Sequence, residues 1–403
     1  MAIADLNDWM DEFSGPDFLW FAKRLAANDT KATNSNQVGP YIPKEFVFRI
    51  FPEIERPQAE NPDVFINLYI DSHSDHREAR VVWYNNQLRT STGTNNETRI
   101  TRLGGSSSAL LDPDNTGALV VFAFRRKRKQ GLGECHAWVC EHPIQEDVIE
   151  DRIGPVEPGK WVVWPSSEGP APVERPCWLE PDEIPGTWFG EFPTGLEIIQ
   201  RVLALRPLEG SNPDVRLIRR RDCEFELFRS VEHAVETPVI QRGYGTLDEF
   251  LSHAQSILQR RKSRAGRSLE LHARAIFLEE GLREAEDFSW QPISEPGKKP
   301  DFLFPSERHY KNPDFPEARL RMMAVKTTCK DRWRQILNEA DRIPTKHLLT
   351  IQQGVSVNQF REMSEAGVKL VVPAPLFPKF PSQVQPHLQS LESFLGDLRL
   401  LQG

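Results

Sequence analysis

The chain has 403 residues, 39% hydrophobic and 27% charged, a balance that excludes disordered and fibrous classes and, at this length, favours two domains over one core. Its net charge of −8 excludes a uniformly cationic nucleic-acid binder, so a DNA surface would have to come from local clusters. Three such clusters are present: RRKRK at 125–129, RRR at 219–221 and RRKSRAGR at 260–267. No apolar run reaches the roughly 20 residues needed to cross a bilayer, and the acidic start MAIADLNDWMDEF is no signal peptide. A cytoplasmic protein with no membrane partner is expected. The five cysteines are odd in number and scattered, which argues for a reduced chain.

Residues 1–165 read as β-rich, with short apolar runs at 46–51, 64–70, 80–85, 118–124 and 136–140 separated by polar, Gly, Pro or Asn segments. The group Cys135, His136, Cys140 and His142 lacks the spacing of a zinc finger or ribbon, and HAWVC alternates as a strand does. The RRKRK run reads as a solvated hairpin tip. Proline density at 166–193 denies both helix and ladder hydrogen bonds, which marks an interdomain linker. Residues 194–403 then alternate helices with short strands. Helices are expected at 268–280, 331–341, 356–366 and from about 385, and strands at 301–304, 320–326, 348–352 and 368–373, as in an α/β domain.

Within that second domain KKPDFLF and MMAVKTTCKDRWRQILNEA bring Asp301, Lys326 and Glu339 to one end of a sheet. Phosphodiester hydrolysis needs a cation, an activated water and carboxylates to hold the metal. Asp301 and Glu339 offer the oxygen ligands that Mg²⁺ prefers, and Lys326 can orient the water or stabilise developing charge. Trp333, Ile336, Leu337 and Ala340 recur at helical spacing as a buried stripe, with Glu339 at its border. The plainer alternative is a turn cap, a snorkelling lysine and a solvated helix residue.

The stretches KSRAGRSLELH, KKPDFLFPS and AVKTTCKDRWRQILNEA resemble the catalytic domain of the EcoRII family of restriction endonucleases, and ANDT, QVGPYIP and RITRLGG extend the resemblance into the N-terminal half. The resemblance implies a Mg²⁺-dependent type IIE enzyme that cuts double-stranded DNA at CCWGG (W is A or T) and needs a second copy of the site as effector. It implies a homodimer that uses no nucleotide cofactor. The implied fold is an N-terminal B3-like β-rich pseudobarrel, autoinhibitory and effector-binding, followed by a C-terminal α/β restriction-endonuclease-like domain of the PD-(D/E)xK type. Carried over residue by residue, the active site falls on Asp301, Lys326 and Glu339, with metal on Asp301 and Glu339 and with Glu270 of SLELH as an accessory acid. Ala324 stands where the common pattern has an acid two residues before the lysine, and Glu339 replaces it in this branch.

Lys330, Asp331 and Arg332 follow the lysine, and their donors and acceptor suit guanine and cytosine edges in the major groove. A solvated charged first turn would read the same way. Arg221 and Phe225, four apart on one helix face, match the pair that holds an extruded base in related nucleases, with Phe where the family has Tyr; a core position for Phe225 is the alternative. In the N-terminal half the implied effector contacts are Lys23, Tyr41, Glu97 and Arg99, the last two in a polar loop. Asn36, where the family has histidine, and TGTNN at 92–96 depart from the pattern. A non-cleaving DNA-binding regulator and a structure-specific repair nuclease are the competing functions.

Overall fold

The computed structural model describes residues 3–33, 38–90, 92–126, 132–165, 176–208 and 210–402. Asn36, residues 127–129 of the RRKRK run and the linker stretch 166–175 lie outside them. The chain forms two compact units, one of residues 1–171 with 352–362 and 378–386, the other of 172–351 with 363–377 and 387–403.

The first unit is built on eight strands: β1 (Phe18–Arg24), β2 (Tyr41–Ile42), β3 (Asp63–Ile70), β4 (Asp75–Tyr84), β5 (Glu97–Thr101), β6 (Leu119–Arg125), β7 (Gly133–Val139) and β8 (Trp161–Trp164). They form one sheet of order β2-β5-β4-β3-β7-β6-β1-β8, antiparallel except for the β3–β7 pair. Strand β1 is buried along its whole length because both faces are covered. Leu19 and Phe21 enter the core that also holds Phe46, Phe122 and Phe124. Trp20 and Ala22 enter a second cluster beneath the helices α1 (Ile3–Phe13) and α3 (Pro143–Ile153). Residues 46–51, read above as a strand, instead fall in the helix α2 (Lys44–Ile50) and its cap. Phe46, Val47 and Phe51 are the buried positions, at helical spacing, and Pro43 opens the turn.

The second unit carries a five-stranded sheet of order β13-β12-β11-β10-β9, with β9 (Ser289–Trp290), β10 (Phe302–Phe304), β11 (Arg321–Val325), β12 (Lys346–Leu349) and β13 (Val368–Val371). Strands β11, β12 and β13 run parallel, and β9 and β10 are antiparallel additions. Long helices α5 (Pro213–Arg242) and α6 (Leu247–Glu279), preceded by α4 (Gly195–Leu205), extend well beyond the 268–280 helix expected from periodicity. Leu269, Ile276 and Phe277 of α6, with Phe394 and Leu398 of the C-terminal helix Leu391–Gln402, pack with Phe302, Phe304, Met323 and Val325 on one face of the sheet.

Two expectations need correction. The half of the proline-rich stretch that is described is folded rather than free: Cys177, Leu179, Ile184 and Trp188 pack with Leu227 and Val231 of α5, and Cys177 is disulfide-bonded to Cys223. The chain is therefore not fully reduced. Spacing alone could not pair these cysteines, because docking of the 176–193 segment on α5 brings them together. Much of the basic run at 260–267, second, is paired within the fold. Arg260, Arg261 and Arg264 pair with Glu236, Glu232 and Glu224 of α5, and Arg220 pairs with Glu279.

Candidate active site

Alternation along β10 and β11 sorts their residues onto two faces. Phe302 and Phe304, Met323 and Val325 fill the helix-covered face, which leaves Asp301, Ala324 and Lys326 on the other. At that end of the sheet Lys326 Nζ stands 3.5 Å from Asp301 Oδ2, and the same oxygen accepts the Val325 N–H at 2.7 Å. One carboxylate oxygen is thus tied to the strand that carries the lysine, so the pair is held in register by the ladder itself.

Glu339 reaches this point from outside the sheet. Residues 332–338 form a 3₁₀ helix, not the α-helix expected over 331–341, and Glu339 caps it in extended conformation. With three residues per turn, the spacing 333, 336, 339 puts Glu339 in line with buried Trp333 and Ile336, so the carboxylate enters under the segment rather than along its border. Burial pushes its carboxyl up to about 7; Lys326 and Lys346 work against that rise and Asp301 adds to it. Glu339 Oε2 is buried and has no hydrogen-bond partner among the described residues. Glu270 comes from α6, is 6% exposed, and accepts from Trp290 Nε1 and from Gln291 Nε2 at 2.8 Å. Burial, then the negative charge of Asp301, raise its carboxyl above the usual range.

Asp301 raises the carboxyls of both Glu270 and Glu339, against the lowering by Lys326 and Lys346 on Glu339 and by Arg267 on Glu270. An orphaned buried oxygen beside them fits a hard divalent cation. Among the described residues no three His, Cys, Asp or Glu side chains converge tightly enough to cage one.

The other candidates are placed as follows. Lys330, Asp331 and Arg332 are half-buried at the start of the 3₁₀ segment, and Asp331 Oδ1 accepts from Arg334 at 3.3 Å. Arg221 is buried and donates to Glu224 and Ser268, while Phe225 is half-exposed with the Arg264 guanidinium over its ring at 5.3 Å. A cavity of about 300 Å³ opens beside them, lined by Glu224, Phe228, Arg264 and Trp290 among others.

In the first unit Lys23, Tyr41, Glu97 and Arg99 come together around Asp29. Lys23 Nζ donates to Asp29 Oδ2 at 2.6 Å, Asp29 Oδ1 accepts the Tyr41 N–H at 2.9 Å, and Arg99 pairs with Glu97 at 2.8 Å and donates to Gly39 O. Glu97 and Arg99 lie in strand β5 rather than the expected loop, opposite Tyr41 of β2. Cys135 and Cys140 are buried and outside the disulfide, and the His136 ring stacks between Tyr69 and Phe13.

A family model described as "EcoRII C terminal" matches residues 228–395, and one described as "Restriction endonuclease EcoRII, N-terminal" matches residues 14–168. The type II restriction enzyme EcoRII of Escherichia coli is 43% identical over 403 residues, which span 99% of this chain and 98% of its own. The chain belongs to the EcoRII family of type II restriction enzymes. It is a restriction endonuclease, and the two-part fold expected from the sequence is the one observed. Among solved structures, metal-depleted Ecl18kI in complex with uncleaved, modified DNA is 18% identical with a TM-score of 0.44, over 55% of this chain and 85% of that one. The UbaLAI restriction endonuclease B3 domain with cognate DNA is 21% identical with a TM-score of 0.28, over 40% of this chain and 98% of that one. No helix among the described residues is long and apolar enough to cross a membrane.

For this EcoRII-family chain, residue patterns missed three members of the polar clusters. Asp29 sits in the ANDT stretch and Arg264 in the basic run, so each carried some signal; Lys346, which donates to the backbone of Glu339 and Ala340, carried none.

Proposed function

We propose that this enzyme makes Mg²⁺-dependent double-strand cuts in DNA at CCWGG, as a type IIE endonuclease whose N-terminal domain holds a second site as effector and restrains cleavage until it is filled. The observation that carries the reading is the partnerless, buried Glu339 Oε2 beside the Asp301–Lys326 pair. Bound Mg²⁺, held by Asp301 and Glu339, would neutralise charge on the phosphate being cleaved and lower the pKa of water. Lys326, anchored through Asp301, holds an ammonium where it orients the attacking water and offsets negative charge as it develops. Glu270, kept in place by Trp290 and Gln291 and raised by burial and by Asp301, adds an accessory carboxylate.

Base reading is assigned to Lys330, Asp331 and Arg332, at the opening of the 3₁₀ segment that Glu339 closes, so recognition and cleavage act within a few residues. Arg221 and Phe225, with the nearby 300 Å³ cavity, take an extruded base of the central pair. Lys23, Tyr41, Glu97 and Arg99 face the effector DNA. A homodimer matches the near-twofold symmetry of the site with two equivalent scissile bonds. The domains are assigned to 1–165 and 194–403, with 166–193 between them and its residues 176–193 docked on α5, and the enzyme works in the cytoplasm without a nucleotide cofactor.

Digestion of plasmids carrying one or two CCWGG sites, with Mg²⁺ or EDTA and with wild type and Asp301→Ala, tests the proposal. Cleavage is expected only for wild type with Mg²⁺, faster on the two-site plasmid, and an added site-bearing duplex should accelerate the one-site reaction. Cutting in EDTA or by the variant would remove the catalytic assignment. Equal rates on both plasmids, with or without the added duplex, would remove the effector assignment alone.

A further inference from the structure

Asp301 and Lys326 are set by the sheet ladder, but Glu339 is not. It ends a short 3₁₀ segment, and the chain turns at once through Ala340, a buried non-glycine residue at φ +51°. A side-chain carboxylate on such a turn is only as well placed as the turn, and a turn of this kind persists only when its surroundings over-determine it.

The surroundings do so from three sides. Lys346, first residue of β12 and 5% exposed, extends its ammonium to the carbonyls of Glu339 and Ala340, the latter at 2.8 Å. Glu295 accepts the Asp341 N–H at 3.0 Å and the Tyr310 hydroxyl, and that hydroxyl accepts the Arg342 N–H at 3.2 Å. Lys298, three positions before Asp301, pairs with Asp341 at 2.6 Å. A lysine is a costly choice for two neutral carbonyls, since burial lowers the affinity of its ammonium for a proton. The carbonyls it gathers belong to the residue that supplies the displaced acid and to the strained residue after it.

We propose that Lys346 is the positioning residue for Glu339: its buried ammonium, seconded by Glu295 and Tyr310, locks the 339–342 turn so that the Glu339 carboxylate faces Asp301 and Lys326. The proposal rests on the cleavage reading above and adds a residue to it. Lys346 does not touch the reacting atoms. It does for Glu339 what the β10–β11 ladder does for the Asp301–Lys326 pair.

The test uses the full-length protein with Lys346→Met, which keeps length and apolar packing, and Lys346→Arg, which keeps charge and donors. Outer partners of metal-binding carboxylates are worth about 10–100-fold in metal affinity or activity. Ca²⁺ binding to the complex of enzyme with a duplex that the wild type cuts, followed by calorimetry, should weaken by about tenfold or more in Lys346→Met. The Mg²⁺ concentration for half-maximal cleavage should rise in step, while duplex affinity in EDTA stays within about twofold, and Lys346→Arg should recover most of the loss. A merely structural lysine would lower the active fraction without moving either metal dependence. A folded Lys346→Met with wild-type Ca²⁺ binding and Mg²⁺ dependence overturns the proposal, whatever its rate. If that variant lacks a cooperative thermal transition, Tyr310→Phe takes its place: a several-fold shift in Mg²⁺ dependence supports the clamp and an unchanged one overturns it. Asp301→Asn and Glu339→Gln serve as references. Should they still cut, the cleavage reading itself falls; should they fail while Lys346→Met behaves as wild type, only the positioning role falls.

Discussion

Two buried polar clusters, one in each unit, differ in how their charges are met. Around Asp29 every charge has an answer: Lys23 and the Tyr41 N–H on its carboxylate, Glu97 and a backbone carbonyl on Arg99. Around Asp301 the answer is incomplete: Glu339 is raised to about 7 although Lys326 and Lys346 act against the rise, and one of its buried oxygens has no hydrogen-bond partner among the described residues. A satisfied cluster is bound into the fold. An unsatisfied one is held in deficit by the rest of the fold, and a cation with its phosphate can correct that deficit.

The contrast can be broken most directly by neutralising the deficient cluster. Asp301→Asn should cut cleavage by at least about a hundredfold while leaving the unfolding midpoint unchanged or raised, since it relieves repulsion among carboxylates. Denaturant titration and single-turnover cleavage on the same preparation check both halves. Asp29→Ala should do the reverse in the first unit. It strands buried Lys23, and removing one partner of such a pair costs about 3–5 kcal/mol, which would appear as an early loss of structure in denaturant.

A pH series sharpens the comparison. The folded carboxyl of Glu339 titrates above its ordinary value, so the metal-free native state holds a proton that the unfolded chain releases, and stability falls as pH rises between these two values. Glu339→Gln should flatten that decline between about pH 4.5 and about pH 7 when midpoints are measured in EDTA. With subsaturating Mg²⁺, cleavage should fall as pH drops below about 7, because the protonated acid cannot hold the cation, and more Mg²⁺ should move that limb to lower pH.

Smaller effects follow away from both clusters. Arg332→Ala should weaken discrimination between cognate and single-mismatch duplexes by about 1–3 kcal/mol if it reads a guanine, and unchanged specificity would take it off the list. Arg261→Ala, which opens a partly exposed pair with Glu232 between α5 and α6, should cost about 1 kcal/mol or less in denaturant stability.

Legibility in the sequence followed the range of the interactions concerned. Strands β10 to β13 and the Asp301–Lys326 pair were readable because apolar runs and a lysine at a strand end are local signals. The segment at 46–51 was misread because a short apolar run serves strand and helix alike, and only Pro43 and the helical spacing of the buried positions decide it. The pairing of the run at 260–267 was not legible because its partners, Glu224, Glu232 and Glu236, lie on another helix. The Cys177–Cys223 bond was hidden for the same reason.

What the sequence by itself determined is the two-part architecture and the family, because these are written in periodicity and in long matching stretches. Only the tertiary structure decided that Glu339 enters from a 3₁₀ segment under a clamp headed by Lys346, that Asp29 gathers Lys23, Tyr41, Glu97 and Arg99, and that Phe225 lies beneath Arg264. The physical reason is that charge balance is a property of space. Whether a carboxylate is answered or left in deficit depends on which distant segments fold against it, and no spacing along the chain records that.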